Sequence, residues 1–132
     1  MATQYTVRHS GDIVIIDISG RMVAGAEGQK LHAALVEEFD KGHHFLLLNC
    51  SGLKFVDSSG VGDLVSSLAE IAGRGGVARL LGPAKGLADM LSRTRLDSLI
   101  DIYTDEATAI ASFTPENNAR TQQKLAGLRR NA

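Results

Sequence analysis

Two kinds of hydrophobic pattern alternate along the chain, and their order predicts an α/β domain. Ile13, Val14, Ile15, Ile16 and Ile18 form a nearly continuous apolar run, preceded by Tyr5 and Val7 alternating with Thr6 and Arg8. Ser10, Gly11 and Asp12 supply turn residues between them, so the chain is expected to open as a β-hairpin whose second strand is central. Phe45, Leu46, Leu47 and Leu48 read as a strand buried on both faces, Val77 to Leu81 as a fourth strand, and residues 99–103 as a short fifth. Between strands the period lengthens. Leu31, Leu35 and Phe39 draw a helix ending near Lys41, before Gly42. Val61, Leu64, Val65, Leu68, Ile71 and Ala72 draw a second, with Gly73 as its stop. Leu87, Met90 and Leu91 draw a third, opened by Gly82 and Pro83, and Asp105 caps a last one burying Ile110 and Phe113. The sum is a mixed, mostly parallel sheet built from an N-terminal hairpin followed by βα units. Residues 20–28 resist assignment, because Gly20, Gly25 and Gly28 weaken a helix while Met22, Val23 and Ala24 offer apolar contacts.

Past Phe113 the pattern stops. Residues 114–118 break it, and Arg120, Lys124, Arg129 and Arg130 leave the remainder basic, with only Leu125 and Leu128 to anchor a helix. One domain over residues 1–113 followed by a mobile or lightly docked tail over 114–132 is expected. The 132-residue chain is long enough to bury its own core, and 44% apolar with 22% charged residues is the composition of a globular protein. A net charge of −1 argues against nucleic acid or a membrane surface as direct partner. The single cysteine, Cys50, excludes an internal disulfide, and no basic segment followed by an apolar run opens the chain, so the cytoplasm is the expected location.

The chemistry gathers between the central strand and the second helix, at Asp57-Ser58-Ser59-Gly60-Val61-Gly62. A helix start leaves backbone N–H groups unpaired and carries partial positive charge, so a serine here can cap the helix and a phosphate here is favoured. Asp57 has three readings: a cap, an acceptor for nearby N–H groups, or a phosphorylated aspartate. The last needs an acidic pair after the first strand and a lysine ending a late strand, where the chain offers Asp17 and Asp101 and no lysine. His43, His44 and Cys50 make no metal or nucleophile site, since His43 and Cys50 lie about 20 Å apart along one strand. Cys50 is a small buried apolar residue in this reading. Gly60-Val61-Gly62 is half of a dinucleotide fingerprint without the rest, and Gly60 more simply permits a tight turn. No catalytic constellation emerges.

The same six residues resemble the signature of the STAS domains, most closely the bacterial anti-sigma factor antagonists, where Asp-Ser-[Ser/Thr]-Gly-[apolar]-[Gly/Ala] carries a regulatory phosphoserine. The resemblance covers about residues 5–113, with the elements in the family's order. It implies a non-enzymatic switch without a cofactor, in which Ser58 is the phosphoacceptor. Partner contacts would come from Asp57, Ser58, Ser59, Gly60, Val61 and Gly62, with a contribution from the loop at residues 20–24. The implied partners are an anti-sigma factor that is also a serine kinase of the GHKL type, released on phosphorylation, and a serine phosphatase; dimerisation stays open. The resemblance equally fits a non-catalytic interaction subunit of a stress-sensing assembly or of an ABC-type lipid transporter. A small flavodoxin-like enzyme or nucleotide binder is the third reading, and it lacks its fingerprints.

Overall fold

A computed structural model describes residues 3–23 and 26–131. The opening hairpin is β1 (Gln4–Ser10) and β2 (Ile13–Met22), followed by α1 (Ala26–Asp40), β3 (Phe45–Val56), α2 (Ser58–Gly73), β4 (Val77–Leu81) and α3 (Lys85–Arg93). A short 3-10 turn (Leu96–Ser98), β5 (Ile102–Tyr103), α4 (Glu106–Ala111) and α5 (Pro115–Asn131) complete it. The five strands lie in chain order, β1 antiparallel to β2 and the rest parallel, which is the mixed α/β sheet expected.

That order decides where the core sits. When parallel strands are added in one direction by crossovers of one hand, the connecting helices fall on one face. Leu31 and Leu35 of α1, Leu64 and Leu68 of α2 and Leu87 and Leu91 of α3 accordingly share one cluster with Val14, Ile16, Ile18, Leu46, Leu48, Ala78 and Leu80. The alternate residues Ile13, Ile15, Leu47 and Leu81 point the other way, where α4 covers them through Ala109, with Ile110 and Phe113 packed alongside. The second cluster is small. Farther along the strands that face turns polar, with Asp17 and Asn49 half-buried and Ser19 and Ser51 exposed.

Strand lengths then place the motif. β4 ends opposite Asn49, so the last seven residues of β3 run on beside β2 alone. β1 reaches no farther along β2 than Ser19, opposite Gln4, and register shifts between Asp17 and Ser19 and between Gly20 and Arg21 bend the projecting pair. The motif hangs from that end.

Several elements differ from the sequence expectation. α2 ends on Gly73, but the glycine in the left-handed region is Gly75, with φ 89°. Pro83 lies before the N-terminal cap of α3, Ala84. β5 has two residues, Ile102 and Tyr103, and Leu99 instead closes the 3-10 turn. Asp105 does cap a helix, accepting from the Thr108 N–H at 2.8 Å, yet that helix is α4 and is not the last. The largest difference is the tail. Rather than being mobile or lightly docked, it forms α5, whose Thr121, Leu125 and Leu128 are at most 2% exposed. Their spacing is one helical stripe, and both leucines join the main core cluster. Gln122 adds a hydrogen bond to the Gly75 carbonyl at 2.8 Å, and a Cβ on Gly127 would lie 2.8 Å from Leu99 Cδ2, so α5 seats closely.

Candidate functional site

The start of α2 is built by a division of labour within six residues. Asp57 is the N-cap, with extended backbone (φ −93°, ψ 178°) and its Oδ1 accepting the Gly60 N–H at 2.8 Å. Its carbonyl accepts the first helical bond from Val61, and its own N–H donates to the Met22 carbonyl at 3.3 Å. Of the roles open to Asp57, capping is the one the geometry displays.

Gly60 is held by β2. A Cβ there would come within 2.3 Å of the Met22 carbonyl oxygen and 3.1 Å of Val56 Cγ1, so only glycine lets the helix start close onto the strand end. Val61 is buried in the main core. Asp57, Gly60 and Val61 therefore fix the turn.

Ser58, Ser59 and Gly62 face outward. Both serines are exposed in the first turn, and among the described residues neither hydroxyl has a hydrogen-bond partner. With Asp57 as the cap, no serine is needed for that task. Gly62 has nothing within 4 Å of where a Cβ would stand. An unengaged hydroxyl at a helix N-terminus, beside N–H groups without helical acceptors, is an accessible acceptor for a phosphoryl group. Among the described residues no hydrogen bond joins either serine hydroxyl to a base.

The other candidates lie elsewhere. His43, before the opposite end of β3, faces Glu38 at 2.9 Å, and His44 stacks on Phe39 with centroids 4.3 Å apart. Cys50 is fully buried, which pushes its thiol up to about 12 and leaves it unreactive. Of the segment expected at residues 20–24, residues 20–22 finish β2, Val23 follows, and Ala24 lies outside the described residues.

Two features escaped the sequence reading. Phe55 is 46% exposed, with the Arg21 guanidinium over its ring at 4.8 Å. The cause is a shift in the pairing of β2 with β3, where Gly20 and Arg21 face Leu53 and Phe55 and leave Lys54 over, and no residue type in the sequence announces it. Arg79 is fully buried between β4 and α5. Its Nη2 donates to Thr121 Oγ1 at 2.7 Å, its Nε lies 3.7 Å from Asp101, and its guanidinium sits over Phe113 at 4.3 Å. Thr121 donates in turn to Asp101, which also pairs with Lys124. Burial alone would raise the Asp101 pKa, but hydrogen bonds from Lys124 and Thr121, with the charges of Lys124 and Arg79, bring it below the ordinary aspartate value.

The STAS domain family model matches residues 4–109, ending before α5. A crystal structure of a Thermotoga maritima protein described as a candidate anti-sigma factor antagonist superposes with a TM-score of 0.71, at 24% identity over 81% of this chain and 92% of that one. The Bacillus cell-fate determinant SpoIIAA, in its phosphorylated form, gives 0.63 at 21% identity over 82% of this chain and 97% of its own. The murine Slc26a9 anion transporter contains a similar region, with a TM-score of 0.66 at 15% identity, covering 79% of this chain and 18% of the transporter. No curated protein sequence matches the chain.

Proposed function

The chain belongs to the STAS domain family, and we propose that within it this protein is an anti-sigma factor antagonist switched by phosphorylation of Ser58. Unmodified, it binds an anti-sigma factor of the GHKL serine kinase type; the kinase phosphorylates Ser58 and lets go, and a serine phosphatase resets the cycle. ATP and Mg²⁺ belong to the kinase, the antagonist itself catalyses nothing, and the exchange takes place in the cytoplasm. The single observation that carries this reading is that Ser58, in the family motif, keeps a free, exposed hydroxyl on a helix start that Asp57 already caps.

The energetics suit a switch that acts on the interface rather than on the fold. A phosphoserine adds about −1.5 to −2 charges. The N-terminus of α2 favours that charge by roughly 0.3–1 kcal/mol, so the domain keeps its structure. A partner closing over a neutral hydroxyl has no such compensation, and burying the new charge without a cation costs several kcal/mol, where each ~1.4 kcal/mol is tenfold in affinity.

A pull-down from the native host with wild type, Ser58→Ala and Ser58→Asp tests this, with captured proteins and the phosphate site identified by mass spectrometry. Ser58→Ala is expected to retain an anti-sigma kinase and Ser58→Asp to lose it, with circular dichroism unchanged in both. Phosphate on Ser59 would move the switch by one residue. Equal capture by all three would remove it and favour the second reading, an interaction subunit, for which the similar region inside a much longer transporter chain is the supporting observation.

A further inference from the structure

Where β2 and β3 project past the rest of the sheet, they carry an unusual surface. Met22 and Val56 point into the main core, so the residues before them, Arg21 and Phe55, lie on the open face, paired in register at the last turn of chain before Ser58. Phe55 and Val7 are the exposed large hydrophobics among the described residues, and Phe55 is the more exposed of the two. Arg21 lies over its ring and Lys54, also exposed, precedes it. Arg8, Lys41, Arg74, Lys85 and Lys124 each lie against a carboxylate. Arg21 and Lys54 have no carboxylate partner among the described residues. Arg93, Arg95 and Arg120 share that lack, but without an exposed aromatic beside them. The nearby Asp57 carboxylate is engaged by Gly60.

An aromatic ring held by a stacked arginine and bordered by a second free cation has the make-up of an interface anchor. It offers rigid apolar area at low entropic cost, together with charges that still need counterparts. We propose that Arg21, Lys54 and Phe55 form a second docking patch beside Ser58, and that its occupant is an acidic partner segment presenting an apolar side chain or cleft to Phe55 and carboxylates to the two cations. The complementarity lies in the charges: two cations without a carboxylate on one side favour anions on the other. The patch deepens the Ser58 reading and rests on it only for the identity of the natural partner. Phe55 supplies the affinity, while Arg21 and Lys54 select for acidic sequence.

Random twelve-residue peptides displayed on phage, selected against the full chain, provide the probe. Enriched peptides should be acidic and carry an aromatic or large aliphatic residue. As purified peptides they should bind Phe55→Ala at least about tenfold more weakly than wild type, and Arg21→Gln and Lys54→Gln about three- to tenfold more weakly. Their affinity should also fall in about 0.5 M salt. Circular dichroism of the three variants, all at exposed positions, checks that the fold is kept. Failure to enrich any peptide, enrichment of neutral or basic peptides, or affinity indifferent to Phe55→Ala would overturn the patch. So would a wild-type dimer in analytical ultracentrifugation that dissociates in Phe55→Ala, since a second copy would then be the occupant. Peptides that pass these tests and bind Ser58→Asp as well as wild type would uphold the patch and detach it from the phospho-switch, whereas loss of the Ser58 effect on kinase capture alone would leave the patch standing.

Discussion

The start of α2 and the seat of α5 both rest on an aspartate, and they use it in opposite ways. Asp57 binds one backbone N–H of its own turn and leaves two serine hydroxyls free at the surface. Asp101 receives Lys124 and Thr121 and faces Arg79, gathering groups from β4 and α5 into a largely buried network. At the first place polarity is kept outside, available to a partner. At the second it is folded inward against the chain's own groups, with Arg79 Nε and Nη1 buried without a hydrogen-bond partner among the described residues. α5 packs against α2, so the helix that carries the serines is secured by the second network.

This contrast predicts where the molecule is fragile. Removing residues 115–132 should have the largest effect, because it exposes Arg79 and strips Leu125 and Leu128 from the core, each worth about 1.5–3 kcal/mol of burial. Set against a total stability of roughly 5–15 kcal/mol, the truncated chain should be largely unfolded or should melt far lower, and Leu125→Ala alone should cost about 2–5 kcal/mol. Urea denaturation followed by circular dichroism decides it. A truncated chain with an unshifted midpoint would show that α5 contributes nothing to the fold.

Asp101→Asn should come next. It leaves the Arg79 guanidinium buried without its counter-charge, a loss of about 3 kcal/mol at neutral pH, the low end for breaking a buried pair because Lys124 and part of Asp101 are wet. The pH dependence has a definite sign. The folded Asp101 pKa lies below its unfolded value, so its contribution is fully present above the ordinary aspartate range and is lost as pH falls through that range toward the folded value. Stability measured from pH 6 down to about 2 should therefore fall less steeply in Asp101→Asn than in wild type. Parallel curves would place the titration on the other depressed carboxylates, Asp17, Glu38, Asp105 and Glu106.

The same contrast explains what could be read from the sequence. Everything at the start of α2 is local: the apolar stripe from Val61 to Ile71, a capping side chain three residues before its N–H, a glycine at the tight approach. Such features recur at short, fixed spacings, so the start of the strand, the turn and the helix were legible, whereas β3 runs seven residues past Asn49 and Asp57 takes the cap that the serines were read as able to supply, leaving both exposed. The seat of α5 depends on contacts 42 residues apart between Arg79 and Thr121, and its buried stripe is two leucines and a threonine in a basic segment. Composition counts Thr121 as polar and Arg79 as surface; only the tertiary contact reveals that each answers the other. Phe55 failed for a related reason, since an unseen register shift decides which face a strand residue takes.

The motif's two glycines give the sharpest test, because they are two positions apart and should respond with opposite sign. At Gly60 an added methyl meets the Met22 backbone, which is not the flexible end of a side chain, so Gly60→Ala must push α2 off β2. A cost of about 1–3 kcal/mol is expected, as for overpacking elsewhere. At Gly62 the methyl enters open space within a helix, and the lower helix propensity of glycine is removed, so Gly62→Ala should stabilise the isolated domain by roughly 0.5–1 kcal/mol. Under the proposed function, a glycine that weakens its own helix without any packing need inside the domain leaves room for a partner to approach closely. Gly62→Ala should therefore raise the urea midpoint while weakening capture of the anti-sigma kinase, separating the two quantities that Gly60→Ala lowers together. Destabilisation by Gly62→Ala would mean that the helix start needs glycine for its own sake, and unaltered kinase capture would remove Gly62 from the contact surface.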